Sequence, residues 1–339
     1  MINQNQSILY IHSNADTFLG QWHVNRVQIL RSLGHKVTII NMTDYLQPVM
    51  FPMLNRMYRR RESNLMRLYR HLEPLLNNHD VLIHFGGALV HPDFLSKFRI
   101  KKVYHCADDP DSSDVLSKPV AAAYDLCAVS NPSVIDMYKV WGCPKVVFWP
   151  LGGIYSGELI KHKQYNQRQK TFAFVGSKYG VPKYRGITKI PFFGNLDLFW
   201  NKKKFLSTIE RCFPEIYAYG PYWSRGFIDN NQVNDLYNDT RIGLNLHNSL
   251  GPINTRLYDL PAHGVLQICD NKNNLNQVFS VGEEIVGYET LDEAVELMHY
   301  YSREKDEAKV IANAGRQRYL KDYRQETIML KLISFFNEI

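Results

Sequence analysis

Short apolar runs recur along this chain, each followed by a helical stretch. Ser7–His12 (Ser-Ile-Leu-Tyr-Ile-His) reads as a strand, about Gln21–Leu33 as a helix ended by Gly34, and Lys36–Asn41 as the next strand. A strand–helix–strand unit of about 35 residues sets two strands parallel. The alternation continues with a basic helical region over 53–77, a strand at Asp80–Phe85 closed by Gly86-Gly87, and a short helix at Pro92–Phe98. Further strands follow at Lys102–Cys106, Leu126–Ser130 and Lys145–Trp149. Strands that are apolar throughout are covered on both faces, which predicts a doubly wound α/β domain.

The polar stretch Gly157–Lys170 reads as a linker or surface excursion, and the pattern then restarts. Strands are expected at Thr171–Val175, Glu215–Tyr219, Arg241–Leu246 and Ile285–Tyr288, and helices at Leu198–Cys212, Val233–Asn238, Leu291–Ser302 and Glu304–Tyr319. The last helix, about Gln325–Phe336, has an apolar stripe of Ile328, Leu332 and Phe335. The expectation is two domains, 1–153 and 154–322, with the final helix (about 323–339) packing back on the first. Such domains bind ligands at the carboxyl ends of their strands, where loop amides and helix starts converge.

At 339 residues the chain is long enough for two cores. No apolar run approaches the roughly 18–20 residues of a membrane helix. The polar start (Asn3, Gln4, Asn5, Gln6) lacks a basic-then-apolar leader, so a cytoplasmic protein is expected. The five cysteines, Cys106, Cys127, Cys143, Cys212 and Cys269, form no Cys-x-x-Cys pair and read as buried thiols, with zinc or disulfides as the other reading.

The net charge of +7 is unevenly spread. Arg56, Arg59, Arg60, Arg61, Arg67 and Arg70 stand against Glu62 alone; Lys161 to Arg185 is a second basic stretch and Lys202, Lys203 and Lys204 a third. Patches of this kind attract polyanions, or are simply solvated faces. Tyr58 and Tyr69 interleave with the arginines, a composition suited to nucleic acid.

The densest motif is Asn254–Gly264, Asn-Thr-Arg-Leu-Tyr-Asp-Leu-Pro-Ala-His-Gly, followed by Val-Leu-Gln-Ile-Cys-Asp. It reads as a short helix with Arg256 and Asp259 on one face, a turn at Gly264 and a strand ending in Asp270. A helix that starts beside a strand end suits phosphates and ribose; an ordinary ion pair between the two side chains is the alternative. With Ile242-Gly243-Leu244-Asn245, Phe279–Tyr288 and Ala314-Gly315-Arg316, this stretch resembles the C-terminal domain of GT-B glycosyltransferases of the glycosyl-transferases-group-1 type, nearest the spore-maturation-type branch. The resemblance runs over about 171–322 and is looser in the first half, at His84–Gly87, Asp108-Asp109-Pro110 and Trp149–Gly152.

The resemblance implies two Rossmann-like domains facing across a cleft, the first for the acceptor and the second for the donor. It implies transfer of a sugar from a nucleotide-diphosphate sugar, UDP-sugars being the commonest donors, to an acceptor hydroxyl, with no further cofactor and no metal. Asp259 stands where the family's acid bonds the ribose hydroxyls, one methylene shorter, and Arg256 where its arginine faces the diphosphate. The family's other glutamate falls on Gly251, which carries no role.

Position adds further donor-side candidates: Gly20 in the first strand–helix loop, Gly176, Ser177 and Lys178 at a strand end, Lys183 and Arg185 as neutralising cations, and Tyr222 and Trp223 for the base, with Asn254 and Tyr258 in the helix motif itself. For the proton of the acceptor hydroxyl the candidates are Asp109, Asp108 and, in the first loop, Asp16; a turn cap before Pro110 is the alternative for the first two. His105 is a candidate for a donor hydroxyl. Asp109-Pro110-Asp111 also spells the metal signature of the other glycosyltransferase fold, which the expected topology does not match.

The acceptor is expected to be a carbohydrate or polysaccharide precursor. The rival is DNA bearing hydroxymethylated bases, with Arg59, Arg60 and Arg61 on the acceptor side. A non-catalytic nucleotide- or nucleic-acid-binding protein of the same fold is the reading from another class.

Overall fold

The structure is a computed structural model describing residues 5–13, 18–86, 89–110, 112–154, 163–178, 192–247, 254–270 and 275–339; the side chains of 18, 19, 21 and 192–201 are likewise left aside. Asp16, Asp111, Lys183, Arg185 and Gly251 therefore lie outside the described residues. The chain divides into two compact units, Met1–Leu151 with Gln325–Ile339, and Gly152–Arg324.

The first unit is built on a six-stranded parallel sheet, β1 (Ser7–His12), β2 (Lys36–Asn41), β3 (Val81–Phe85), β4 (Lys101–His105), β5 (Leu126–Val129) and β6 (Val146–Phe148), in the order β2-β1-β3-β4-β5-β6. Ser7 pairs with Lys36 and Ile8 with Val81, so β1 is central and apolar on both faces. Leu9 and Ile11 pack with the buried stripe Leu65, Leu68, Leu72 and Leu76 of α3 (Ser63–Asn78). On the opposite face, Tyr10 meets His23 of α1 (Phe18–Ser32). The basic region is thus two helices, α2 (Phe51–Arg59) and α3, broken where Arg61 turns left-handed at φ 52°. Short helices α4 (Pro92–Leu95), α5 (Ser113–Leu116) and α6 (Ile135–Val140) complete the first pass.

The second unit has the five-stranded parallel sheet β11-β10-β9-β7-β8, with β7 (Lys170–Val175), β8 (Tyr217–Tyr219), β9 (Thr240–Asn245), β10 (Leu266–Cys269) and β11 (Val286–Gly287). One face buries Phe172, Phe174, Ile242 and Ile268 against Leu206, Ile209 and Phe213 of α7 (Phe192–Cys212). The other buries Ala173 against Val233 and Tyr237 of α8 (Asn230–Asn238) and Leu260 of α9 (Arg256–Ala262). Helices α10 (Leu291–Arg303) and α11 (Lys305–Asp322) follow.

The last helix, α12 (Gln325–Phe335), belongs to the first unit, where Trp149 Nε1 donates to Ile328 O at 2.9 Å. Arg26 ties the two ends of this return together. Its Nη2 donates to Leu151 O at 2.6 Å and its Nε to Gln325 Oε1 at 3.0 Å, while Gln325 Nε2 donates to the same Leu151 carbonyl at 3.1 Å. The guanidinium lies over Trp22 at 3.7 Å and Trp149 at 4.6 Å, and burial lowers its pKa to about 10.

All five thiols are free; Cys212 is exposed, unlike the other four. Among the described residues no helix is long and apolar enough to cross a membrane.

Candidate functional site

The carboxyl ends of β7, β8, β9 and β10 gather the polar side chains of the second unit. Asn245 closes β9 and is fully buried. Its side-chain amide is paired reciprocally with that of Asn254 (2.7 and 3.1 Å) and donates to Gln267 Oε1 at 2.9 Å. Asn254 Oδ1 also accepts the N–H of Leu257 at 3.0 Å, starting α9 beside the strand end. Neither Asn245 nor Gln267 had a role assigned from sequence; the signal was two amides inside otherwise apolar strands.

Arg256 is the centre of this edge. Nη1 donates to Val175 O at 2.6 Å, Nη2 to Leu246 O at 2.7 Å and Nε to Asn245 Oδ1 at 3.2 Å, with the guanidinium 4.5 Å from the Phe174 ring centre. Burial lowers its pKa, since the charge is held largely by neutral acceptors. Three of its five N–H groups thus bind the ends of β7 and β9 together. At seven residues α9 contributes side chains more than a helix dipole.

Asp259 does not pair with Arg256. It is fully buried, and its Oδ1 accepts the N–H of Ile154 at 2.7 Å. The carboxylate expected to meet a ribose therefore anchors the Gly152–Ile154 segment in this structure, because the acid side of α9 faces inward. Tyr258 is buried against Phe279 and Tyr323, on the core side of α9.

At the end of β7, the N–H of Gly176 donates to Tyr219 O at 2.8 Å and its carbonyl accepts from Trp223 Nε1 at 2.8 Å. That amide extends the sheet and is already engaged there. Lys178 is buried, ion-paired with Glu210 and 5.0 Å from the Trp223 ring centre, which likewise withdraws it from a diphosphate. Ser177 is half-buried beside it. Trp223 is core, 5% exposed, whereas Tyr222 is 63% exposed and held at φ 69°. A left-handed φ is strained for a bulky residue, so the turn after β8 presents this ring outward at a conformational cost.

Three further side chains complete the edge. His247, two residues past β9, is 2% exposed; its backbone N–H donates to Asp270 Oδ2 at 2.9 Å and its ring Nδ1 lies 2.5 Å from Asp270 Oδ1. Lys202 of α7 is 5% exposed, and burial together with Arg256 lowers its pKa to about 7, Asp270 opposing that shift. Its position was legible: it precedes Leu206 and Ile209 on the buried stripe of α7, where a lysine is out of place. His247, Cys269 and Asp270 bring three metal-type ligand atoms within 4.8 Å of one another. Two cations beside Asp270, Lys202 and Arg256, set the local charge against a divalent ion and in favour of an anion.

In the first unit, Asp109 is 3% exposed and its Oδ2 accepts from Ser117 Oγ at 2.7 Å and from the Tyr138 hydroxyl. It holds the turn after β4 together rather than facing an acceptor. Asp108, one residue earlier, is half-buried. Gly20 lies within the first turn of α1, not in the loop before it. His105 is packed between Phe85 and Trp149 with Nδ1 2.5 Å from Ala128 O, and burial lowers its pKa to about 3, so it is neutral.

Arg59, Arg60 and Arg61 are exposed, as are Arg56, Arg67 and Arg70. Tyr69 is buried and Tyr58 is stacked on His91 at 4.0 Å, so neither ring is available to stack on a base.

The chain has the fold of the GT-B glycosyltransferases. Residues 201–334 match the family described as glycosyl transferase-like. Among solved structures, HepE of Anabaena in complex with UDP aligns with TM-score 0.61 and 10% identity over 98% of this chain and 100% of its own. Sucrose-phosphate synthase from Thermosynechococcus elongatus aligns with TM-score 0.64 and 10% identity over 98% of each chain. An alpha-glucosyltransferase in complex with UDP and a 13-mer DNA containing a HMU base aligns with TM-score 0.59 and 11% identity, covering 98% of this chain and 100% of that one. No curated protein matches the sequence.

Proposed function

We propose that this protein is a glycosyltransferase that takes its sugar from a UDP-sugar and transfers it to a hydroxyl of a carbohydrate or polysaccharide precursor. The observation that carries the donor half is the carboxyl edge of the second sheet. There Asn245, Asn254 and Arg256 lock the ends of β7 and β9, Lys202 adds a second cation, and Tyr222 offers an exposed ring in the turn after β8. Cations at such an edge suit a diphosphate and an aromatic face suits a base. Solved structures of like fold that hold UDP support the choice of nucleotide. Asp108 takes the acceptor proton, since Asp109 is occupied by Ser117 and Tyr138. Asp259 acts by fixing the Gly152–Ile154 segment.

A thermal-shift panel of UDP, GDP, ADP and TDP tests the donor class. A ligand bound by the folded state alone raises the melting temperature by mass action. A shift with UDP above the other three is the expected result; equal or absent shifts contradict it.

A second reading replaces the carbohydrate by duplex DNA. Its support is the six exposed arginines of α2, α3 and the turn between them, together with the DNA in one structure of like fold. With Tyr58 and Tyr69 turned inward, binding there would rest on phosphate contacts alone and fall steeply with salt. Salt-dependent duplex binding lost on changing Arg59, Arg60 and Arg61 to Gln favours DNA; no binding at low salt removes it.

A further inference from the structure

His247 and Asp270 form a buried pair that no step above uses. Asp270 accepts twice from one residue, from the backbone N–H of His247 at 2.9 Å and from ring Nδ1 at 2.5 Å. A carboxylate in that position fixes the ring and keeps a proton on Nδ1, leaving Nε2 as the working atom. Nε2 is buried and has no hydrogen-bond partner among the described residues. A buried ring nitrogen without a partner is costly and therefore informative. It lies at the edge already described, because Arg256 Nη2 holds the carbonyl of Leu246, the residue before His247.

The groups around the pair decide what Nε2 meets. Cys269 and Asp270 end β10, Tyr288 donates to Asn245 O at 3.0 Å, Arg256 comes from α9 and Lys202 from α7. Two cations face one carboxylate, a surplus that suits an anionic ligand. We propose that His247, held by Asp270, is a further binding residue for the donor's diphosphate, a proposal that rests on the UDP-sugar reading above.

A consequence separates this role from a structural one. An ionised phosphate oxygen accepts hydrogen bonds and does not donate them, so in the complex Nε2 donates to the diphosphate while Nδ1 donates to Asp270. Uridine lacks the phosphates and does not meet His247.

The test is isothermal titration of UDP and uridine on the wild type and on His247→Gln and Asp270→Asn. Expected are about tenfold weaker UDP binding by His247→Gln and unchanged uridine binding. Asp270→Asn keeps the ring but frees it, and is expected to weaken UDP as well. Wild-type UDP affinity in His247→Gln overturns the proposal, as does an equal loss of UDP and uridine binding. Absence of UDP binding by the wild type overturns the donor reading, and this proposal with it.

Discussion

Arg256 fills the space that a side chain on Gly176 would need: a Cβ built on Gly176 collides with Nη1 and lies 3.4 Å from Cζ. The glycine and the arginine are 80 positions apart in sequence, yet each requires the other. The same guanidinium group then bridges the carbonyls of Val175 and Leu246, so the positions of two strand ends depend on it.

Gly176→Ala is expected to displace Arg256 and to strain a backbone held at φ 153°. The protein should lose about 1–3 kcal/mol of stability, read by denaturant unfolding, and UDP affinity should fall with it. Unchanged affinity in a folded Gly176→Ala protein would separate Arg256 from the donor.

Tyr222 makes the opposite case, being 63% exposed. Tyr222→Ala should leave stability within about 0.5 kcal/mol of wild type, and Tyr222→Gly should raise it by relieving the left-handed φ. UDP binding should weaken about 5- to 100-fold, from the loss of one stacked base. Equal UDP affinity in the alanine variant would remove Tyr222 from the site.

The two neighbouring aspartates should part company. Asp109→Ala leaves the hydroxyls of Ser117 and Tyr138 without their buried acceptor and should cost about 2–4 kcal/mol. Asp108→Asn should melt like wild type but lose about a hundredfold or more in turnover. Thermal melts beside initial rates distinguish the outcomes, and full activity in Asp108→Asn would end its assignment as base.

The sheets were legible because a strand covered on two faces is apolar along its length, as β1 is, while the half-buried edge strand β2 still shows in its Val and Ile. Motif glycines were legible as well, but for a reason of packing: a Cβ on Gly315 would strike the carbonyl of Glu284, so α11 can approach that turn only without a side chain. Side-chain direction was not legible. Asp259, Tyr258 and Asp109 stand in motif positions that suggested a ligand, yet each points inward, since helix rotation and turn closure depend on long-range packing. Lys178 similarly looked available until Glu210 of α7, distant in sequence, was placed beside it.

Lys202 gives the stability a pH signature. Its folded-state pKa of about 7 lies below the unfolded value of about 10.4, so between these pH values the unfolded chain binds more protons. Stability should therefore rise with pH across that window, by at most about 1.4 kcal/mol per unit from this group. Lys202→Met should flatten the rise in urea-unfolding measurements and stabilise the protein at pH 7. An unchanged slope would show that the lysine is not buried as placed.

The central claim is that a nucleoside diphosphate binds at the carboxyl edge of the second sheet, and a crystal structure of the protein with UDP tests it most directly. The predicted result is a diphosphate within hydrogen-bonding distance of the Arg256–Lys202 edge, with the uracil ring on Tyr222. UDP seated away from the ends of β7, β9 and β10 would contradict it.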